Sequence, residues 1–142
     1  MVQVILGRKG SGKTKRLIDL ANEALKTENG YVVFVDDDNR YMYDLRHEVR
    51  FVDLSEYAAR EERSAGMFYG LISGMLSVNY DISLIFVDAF KKLVNVPAEK
   101  LGELKELFDH LNVLSENHQC KIVLSISADP EELPDFITAL AI

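Results

Sequence analysis

Cysteine is nearly absent from this 142-residue sequence, and the lone Cys120 excludes an intramolecular disulfide. The three histidines, His47, His110 and His118, show none of the spacings that would complete a zinc site with it. Proline and glycine are scarce, at three and eight residues, and no tract is compositionally biased, which excludes a collagen-like, linker-dominated or disordered chain. Basic side chains are outnumbered 16 to 23, and the resulting net charge of −7 opposes attraction to phosphate backbones and anionic lipid, which depends on Lys and Arg. Neither nucleic acid nor a membrane is therefore an expected partner. A long hydrophobic run is missing as well. The least charged stretch, Ser64 to Tyr80, is interrupted by three glycines, three serines and Asn79 and falls short of the ~20 apolar residues that span a bilayer. The start, Met1-Val2-Gln3-Val4-Ile5-Leu6, has no basic segment ahead of its apolar residues and no small-residue cleavage site after them. These absences imply a soluble, cytoplasmic protein.

What is present is ample apolar material, 48% of the residues, on a length that corresponds to one domain, 1–142. A chain of this size buries roughly 68–70% of its unfolded surface, enough for a substantial core. Short apolar runs alternate with longer segments of helical period, the pattern of an α/β protein with a mainly parallel sheet between helices. Five runs read as strands: Val2 to Leu6, Tyr31 to Val35, Val49 to Leu54, Ile82 to Val87 and Lys121 to Ser127. Their nearly continuous hydrophobicity suits strands covered on both faces, and Arg50 and Asp53 make the third, the weakest, an edge or half-exposed strand. Helical spacing covers Gly12 to Lys26 and Ala98 to His118, and a third helix is expected over Ser55 to Val78, with a break near Gly66. Asn29-Gly30 offers a left-handed end to the first helix; Pro130 opens a last short helix that Pro134 splits or delays.

One segment announces chemistry. Gly7-Arg8-Lys9-Gly10-Ser11-Gly12-Lys13-Thr14 satisfies G-x-x-x-x-G-K-[ST] between a strand and an amphipathic helix. Glycines let the backbone wrap phosphate oxygens, successive N–H groups point inward, and the helix N-terminus adds a favourable dipole. Gly7, Gly10, Ser11, Gly12, Lys13 and Thr14 are thus the expected nucleotide-binding residues, with Lys13 reaching the β- and γ-phosphates and Thr14 offering its hydroxyl to Mg²⁺. Arg8 and Lys9 fall in the variable part of the loop and read as solvated charges. A second segment, Leu84-Ile85-Phe86-Val87-Asp88, is a buried strand ending in a carboxylate where open α/β sheets bind ligands, so Asp88 is the expected second magnesium and catalytic residue beside Lys13.

On these two segments the chain resembles the P-loop NTPases, with Gly7 to Thr14 as the Walker A loop and Leu84 to Asp88 as the Walker B strand. More narrowly, it is similar to small clostridial-type ATP-binding proteins labelled as twitching motility or pilus-retraction ATPase-like proteins. The resemblance implies a three-layer P-loop sandwich on a five-stranded, mainly parallel sheet, and ATP with Mg²⁺ as ligands. True motors of that kind carry a further N-terminal domain, acidic and histidine motifs and intersubunit arginines, for which 142 residues leave no space. In many hydrolysing relatives a glutamate follows the magnesium aspartate; here it is Ala89. Asp36, Asp37 or Asp38 could replace it as base, or be solvated turn residues. Asp36 to Tyr41 also has a faint likeness to thymidine kinases, without their four-cysteine zinc ribbon. Arg40 reads as a transition-state charge or as a salt-bridge partner of those aspartates. Ser125 and Ser127 share one strand face; resemblance to RecA-like P-loop proteins implies that one of them senses the γ-phosphate, which would put their strand between the P-loop strand and the Asp88 strand, and the alternative is that they cap the strand end or the next helix.

Gly66, Gly70 and Gly74 recur every four residues and suggest a ridge packed tightly on the sheet, or an interface with a partner or a second copy. Two functions emerge: a slow or partner-stimulated ATPase, and a nucleotide-binding adaptor that does not hydrolyse. A small nucleoside-type kinase is a third. No Asn-Lys-x-Asp stretch follows Asp88, which favours ATP over GTP.

Overall fold

The computed structural model describes residues 1–142. Strands β1 (Val2–Gly7), β2 (Tyr31–Asp36), β3 (Arg50–Asp53), β4 (Ile82–Val87) and β5 (Lys121–Ser127) form one sheet in the order β1-β5-β4-β2-β3. Every neighbouring pair is parallel. The expected α/β architecture is therefore what the chain adopts, with β5 between β1 and β4 and β3 at an edge.

Alternation along the strands sends side chains to both faces, and both are covered. On one face Val33, Val35, Ile85, Val87, Ile122 and Leu124 pack against α2 (Ala65–Val78), α3 (Phe90–Val94) and α4 (Lys105–His118) in the larger core. On the other, Ile5, Val32, Phe34, Phe86 and Val123 meet Leu17, Ile18 and Ala21 of α1 (Lys13–Ala24). The free edge of β1 is partly covered by Leu140–Ile142, which exchange two 2.9 Å backbone hydrogen bonds with Val4 just after α5 (Asp135–Thr138). No helix is long and apolar enough to cross a membrane.

Several local expectations are corrected. The segment after β3 is not helical from Ser55: it makes two 3-10 turns, Leu54–Glu56 and Arg60–Glu62, and α2 begins only where the Ser64 hydroxyl accepts the Met67 amide at 3.0 Å. A polar N-cap, rather than a glycine break, sets that start. The first seven residues of the Ala98–His118 helix, Ala98–Leu104, are 3-10, although Leu101 and Leu104 still bury as the helical period requires. Pro134 does split the last helix, leaving a 3-10 turn at Pro130–Glu132 ahead of α5. Gly30 is not left-handed; it is needed because a Cβ there would lie 2.2 Å from the Asp81 carbonyl oxygen. The glycine ridge does not pack on the sheet. Phe68, Ile72 and Leu76 form the buried face of α2, while Gly66, Gly70 and Gly74 are exposed, and a Cβ on Gly70 or Gly74 would meet nothing within 4 Å.

Candidate functional site

The C-terminal ends of β1, β5, β4 and β2 lie side by side, and the chain turns outward from each into a cleft of about 1220 Å³. β1 ends at Gly7, whose missing Cβ matters: a methyl there would sit 2.3 Å from Ser11 Oγ, so the loop can fold back over the strand only above a glycine. Gly10 and Gly12 adopt φ of +80° and +89°, the left-handed region that turns successive amides inward. Gly12 is the N-cap of α1, with no side chain capping that end and no acidic residue in the first turn. The first amides of a twelve-residue helix thus face the cleft without a side-chain acceptor, an arrangement suited to an anion.

Lys13 is buried, and its ammonium donates to the Arg8 carbonyl at 2.8 Å and to Ser11 Oγ at 3.3 Å, bracing the loop from inside rather than filling its mouth. Burial lowers its pKa and the nearby Asp88 carboxylate opposes that shift. The next residue, Thr14, donates from Oγ1 to Asp88 Oδ2 at 2.9 Å. Asp88 is itself buried, and Ser125 donates to its other oxygen, Oδ1, at 2.5 Å while accepting the Ala89 amide at 3.0 Å. The two sequence signals, 74 residues apart, are in direct contact. Ser125 acts as a clamp on Asp88; Ser127, paired in register with Gly7, lines the cleft.

The three aspartates after β2 separate into three environments. Asp38 accepts Arg40 through both oxygens, with contacts of 2.8 to 3.2 Å, so Arg40 is the surface ion-pair partner. Asp37 is paired with Arg63, a buried arginine that sequence reasoning missed. Asp36 has no cation. It is 4% exposed, its Oδ1 accepts only the Asp37 amide at 2.7 Å, and its Oδ2 is buried with no partner. Burial first and the Asp88 charge second push its pKa up to about 7. Arg8 pairs with Asp129 at 2.6 Å across the mouth of the cleft. Ala89, directly after Asp88, takes a left-handed φ of 54° and starts α3.

The donor set suits a hard cation. A hydroxyl and a carboxylate in contact, both oxygen ligands, leave room for phosphate oxygens and water to complete a shell, as Mg²⁺ prefers. No cluster of three or more His, Cys, Asp or Glu forms a cage of its own.

No protein-family profile matches the sequence, and no curated protein matches it. Among solved structures the chain is similar to the flagellar accessory protein FlaH from Methanocaldococcus jannaschii, with a TM-score of 0.57, 16% identity and coverage of 97% of this chain and 65% of that one. The fold is P-loop NTPase-like. The likeness is one of fold, and this chain spans about 65% of the length of FlaH.

Proposed function

We propose that the protein binds ATP with Mg²⁺ in this cleft and hydrolyses it slowly until a partner stimulates it. The observation that carries the reading is the hydrogen-bonded set Thr14–Asp88–Ser125 beneath the uncapped start of α1. The amides of Gly10 to Lys13 and the Lys13 ammonium hold the triphosphate, and Thr14 and Asp88 hold the magnesium ion. Bound there, Mg²⁺ supplies neutralisation of the phosphate charge that develops as the γ-phosphoryl group leaves. ATP rather than GTP is favoured because no Asn-Lys-x-Asp stretch follows Asp88.

Asp36 is the base in this proposal. Of the three aspartates it alone has no paired cation, its Oδ2 makes no hydrogen bond, its strand neighbours that of Asp88, and a carboxylate with a pKa of about 7 is matched to taking a proton from water at neutral pH. Slow turnover follows from what is missing. Ala89 cannot orient water, and the arginines bordering the cleft are engaged, Arg8 by Asp129 and Arg40 by Asp38. An arginine for the transition state then comes from a second copy or another protein.

The adaptor reading has one observation in its favour: the exposed glycine face of α2, beside half-buried Met67, Leu71 and Met75, is open to contact. Titration of a fluorescent ATP analogue with Mg²⁺ tests the binding; Lys13→Ala weakens it at least tenfold, and undiminished binding by that variant overturns the proposal. Phosphate release above background, lost in Asp88→Asn, separates the ATPase from the adaptor.

A further inference from the structure

Arg63 belongs to no motif, yet its side chain is 3% exposed. Its Nη1 donates to Asp37 Oδ1 and, at 3.3 Å, to the Lys92 carbonyl, and its Nε donates to the Ala58 carbonyl at 3.3 Å. One guanidinium thereby ties the end of β2 to α3 and to the turn ahead of α2. Arg60, by contrast, is 60% exposed and reaches the other Asp37 oxygen only at 3.9 Å.

Stability alone is a weak reason for such a pair. Desolvating two charges costs about as much as their attraction returns, and apolar side chains of similar volume serve a core as well or better. The surroundings supply another reason. Asp36, Asp37, Asp38 and Asp88 crowd one edge of the sheet, and like charges at that distance repel. Arg40 draws the Asp38 carboxylate aside at the surface, and Arg63 draws Asp37 into the interior. With its carboxylate anchored there, Asp37 presents its amide to Asp36 Oδ1 at 2.7 Å, and Asp36 Oδ2 is left buried without a partner.

We propose that Arg63 is a positioning residue: by holding the Asp37 carboxylate it fixes the amide that orients Asp36, and so determines which oxygen of Asp36 serves the cleft. This rests on the reading of Asp36 as the base. An arginine suits the role because its planar fork reaches acceptors on three segments at once, whereas a lysine ammonium supplies the charge without the fork.

The test uses Arg63→Met, Arg63→Lys and the double variant Arg63→Met/Asp37→Asn, which leaves no unpaired charge if Arg63→Met fails to fold. The Asp37 amide is followed by ¹⁵N-resolved NMR in nucleotide-free protein. Its resonance, downfield in the wild type because it bonds a carboxylate, moves upfield in Arg63→Met and is retained at least in part in Arg63→Lys; in the double variant, where residue 37 is itself changed, the ¹³Cγ resonance of Asp36 reads the loss of that bond instead. In parallel, kcat for ATP falls about 10–100-fold in Arg63→Met while the Kd of the ATP analogue stays within about twofold, and Arg63→Lys recovers part of the loss. The double variant is no slower than Arg63→Met, because both changes break one linkage. An unmoved Asp37 amide in Arg63→Met, or an unmoved Asp36 ¹³Cγ resonance in the double variant, overturns the proposal, and so does a parallel fall of affinity and turnover that lysine does not relieve. A wild type that binds ATP without turnover removes Asp36 as base, and the amide shift still decides whether Arg63 places it.

Discussion

Ser125 holds Asp88 from the neighbouring strand: its hydroxyl donates to Asp88 Oδ1 at 2.5 Å and accepts the Ala89 amide at 3.0 Å. The carboxylate is thus fixed from β5, the neighbouring strand, while its second oxygen meets Thr14. Ser125→Ala leaves a buried carboxylate oxygen and a backbone N–H without this partner. That costs roughly 2–3 kcal/mol of stability, since an unmade buried hydrogen bond to a charged group costs more than a neutral one. Urea denaturation measures the cost, and a loss below about 0.5 kcal/mol contradicts the clamp. Mg²⁺-dependent nucleotide affinity falls in the same variant because the Asp88 carboxylate is free to rotate.

Asp36 gives the stability of nucleotide-free protein a definite pH dependence. Its pKa is raised by burial from 3.8 to about 7, so the folded state binds the proton more tightly than the unfolded state. The favourable contribution of the protonated form is complete below pH ~4 and is lost as pH rises through ~7, at roughly 1.4 kcal/mol per pH unit between those limits. Asp36→Asn removes this dependence. The variant unfolds at a higher temperature than wild type at pH 8, the two converge near pH 4, and phosphate release is lost in the variant. A difference in melting temperature that does not change between pH 4 and 8 shows that Asp36 ionises without penalty.

The two observations differ in how far the sequence disclosed them. Gly7 to Thr14 was legible because its spacing lies within one strand-turn-helix unit, and the same locality made Asp88 readable at the end of its own apolar run, whereas the place of β5 between β1 and β4 followed only from a resemblance. Which of three adjacent aspartates is left without a cation was not legible, because Asp37 finds its partner 26 residues away, in a stretch, Arg60 to Arg63, where two arginines look alike. Burial distinguishes them, and burial is a property of the assembled layers. The glycines of α2 are similar: a period of four places them on one face of a helix, but only the packing of Phe68, Ile72 and Leu76 shows that this face points to solvent.

Gly30 carries a structural prediction at the opposite end of the sheet from the cleft. A Cβ there would lie 2.2 Å from the Asp81 carbonyl oxygen and 2.8 Å from Ser83 Oγ. That carbonyl also accepts the Tyr31 amide at 2.7 Å, so it cannot retreat without opening the start of the β2–β4 pairing. Gly30→Ala destabilises by about 2–4 kcal/mol despite the small gain from a less flexible unfolded chain. Equilibrium urea unfolding checks this, and nucleotide affinity of the folded fraction stays at the wild-type value. A neutral substitution means that the two backbones are farther apart than described.

Gly7 makes the complementary case, a glycine whose replacement harms the site more than the fold. An added methyl meets Ser11 Oγ at 2.3 Å and Ser11 Cβ at 3.2 Å, while Lys13 Cδ at 3.4 Å is in ordinary contact. Both colliding atoms belong to one residue of an exposed loop, so the loop moves rather than the sheet, and the inward amides move with it. Gly7→Ala therefore lowers affinity for the ATP analogue at least tenfold, about 1.4 kcal/mol, with under about 1 kcal/mol of lost stability. Ser11→Gly removes both colliding atoms and loses only the 3.3 Å contact from Lys13. The double variant Gly7→Ala/Ser11→Gly therefore binds like Ser11→Gly alone, a non-additivity expected of atoms that compete for one space. If the double variant binds no better than Gly7→Ala, the loop does not close over β1 through Ser11, and the requirement for glycine at the end of that strand has another cause.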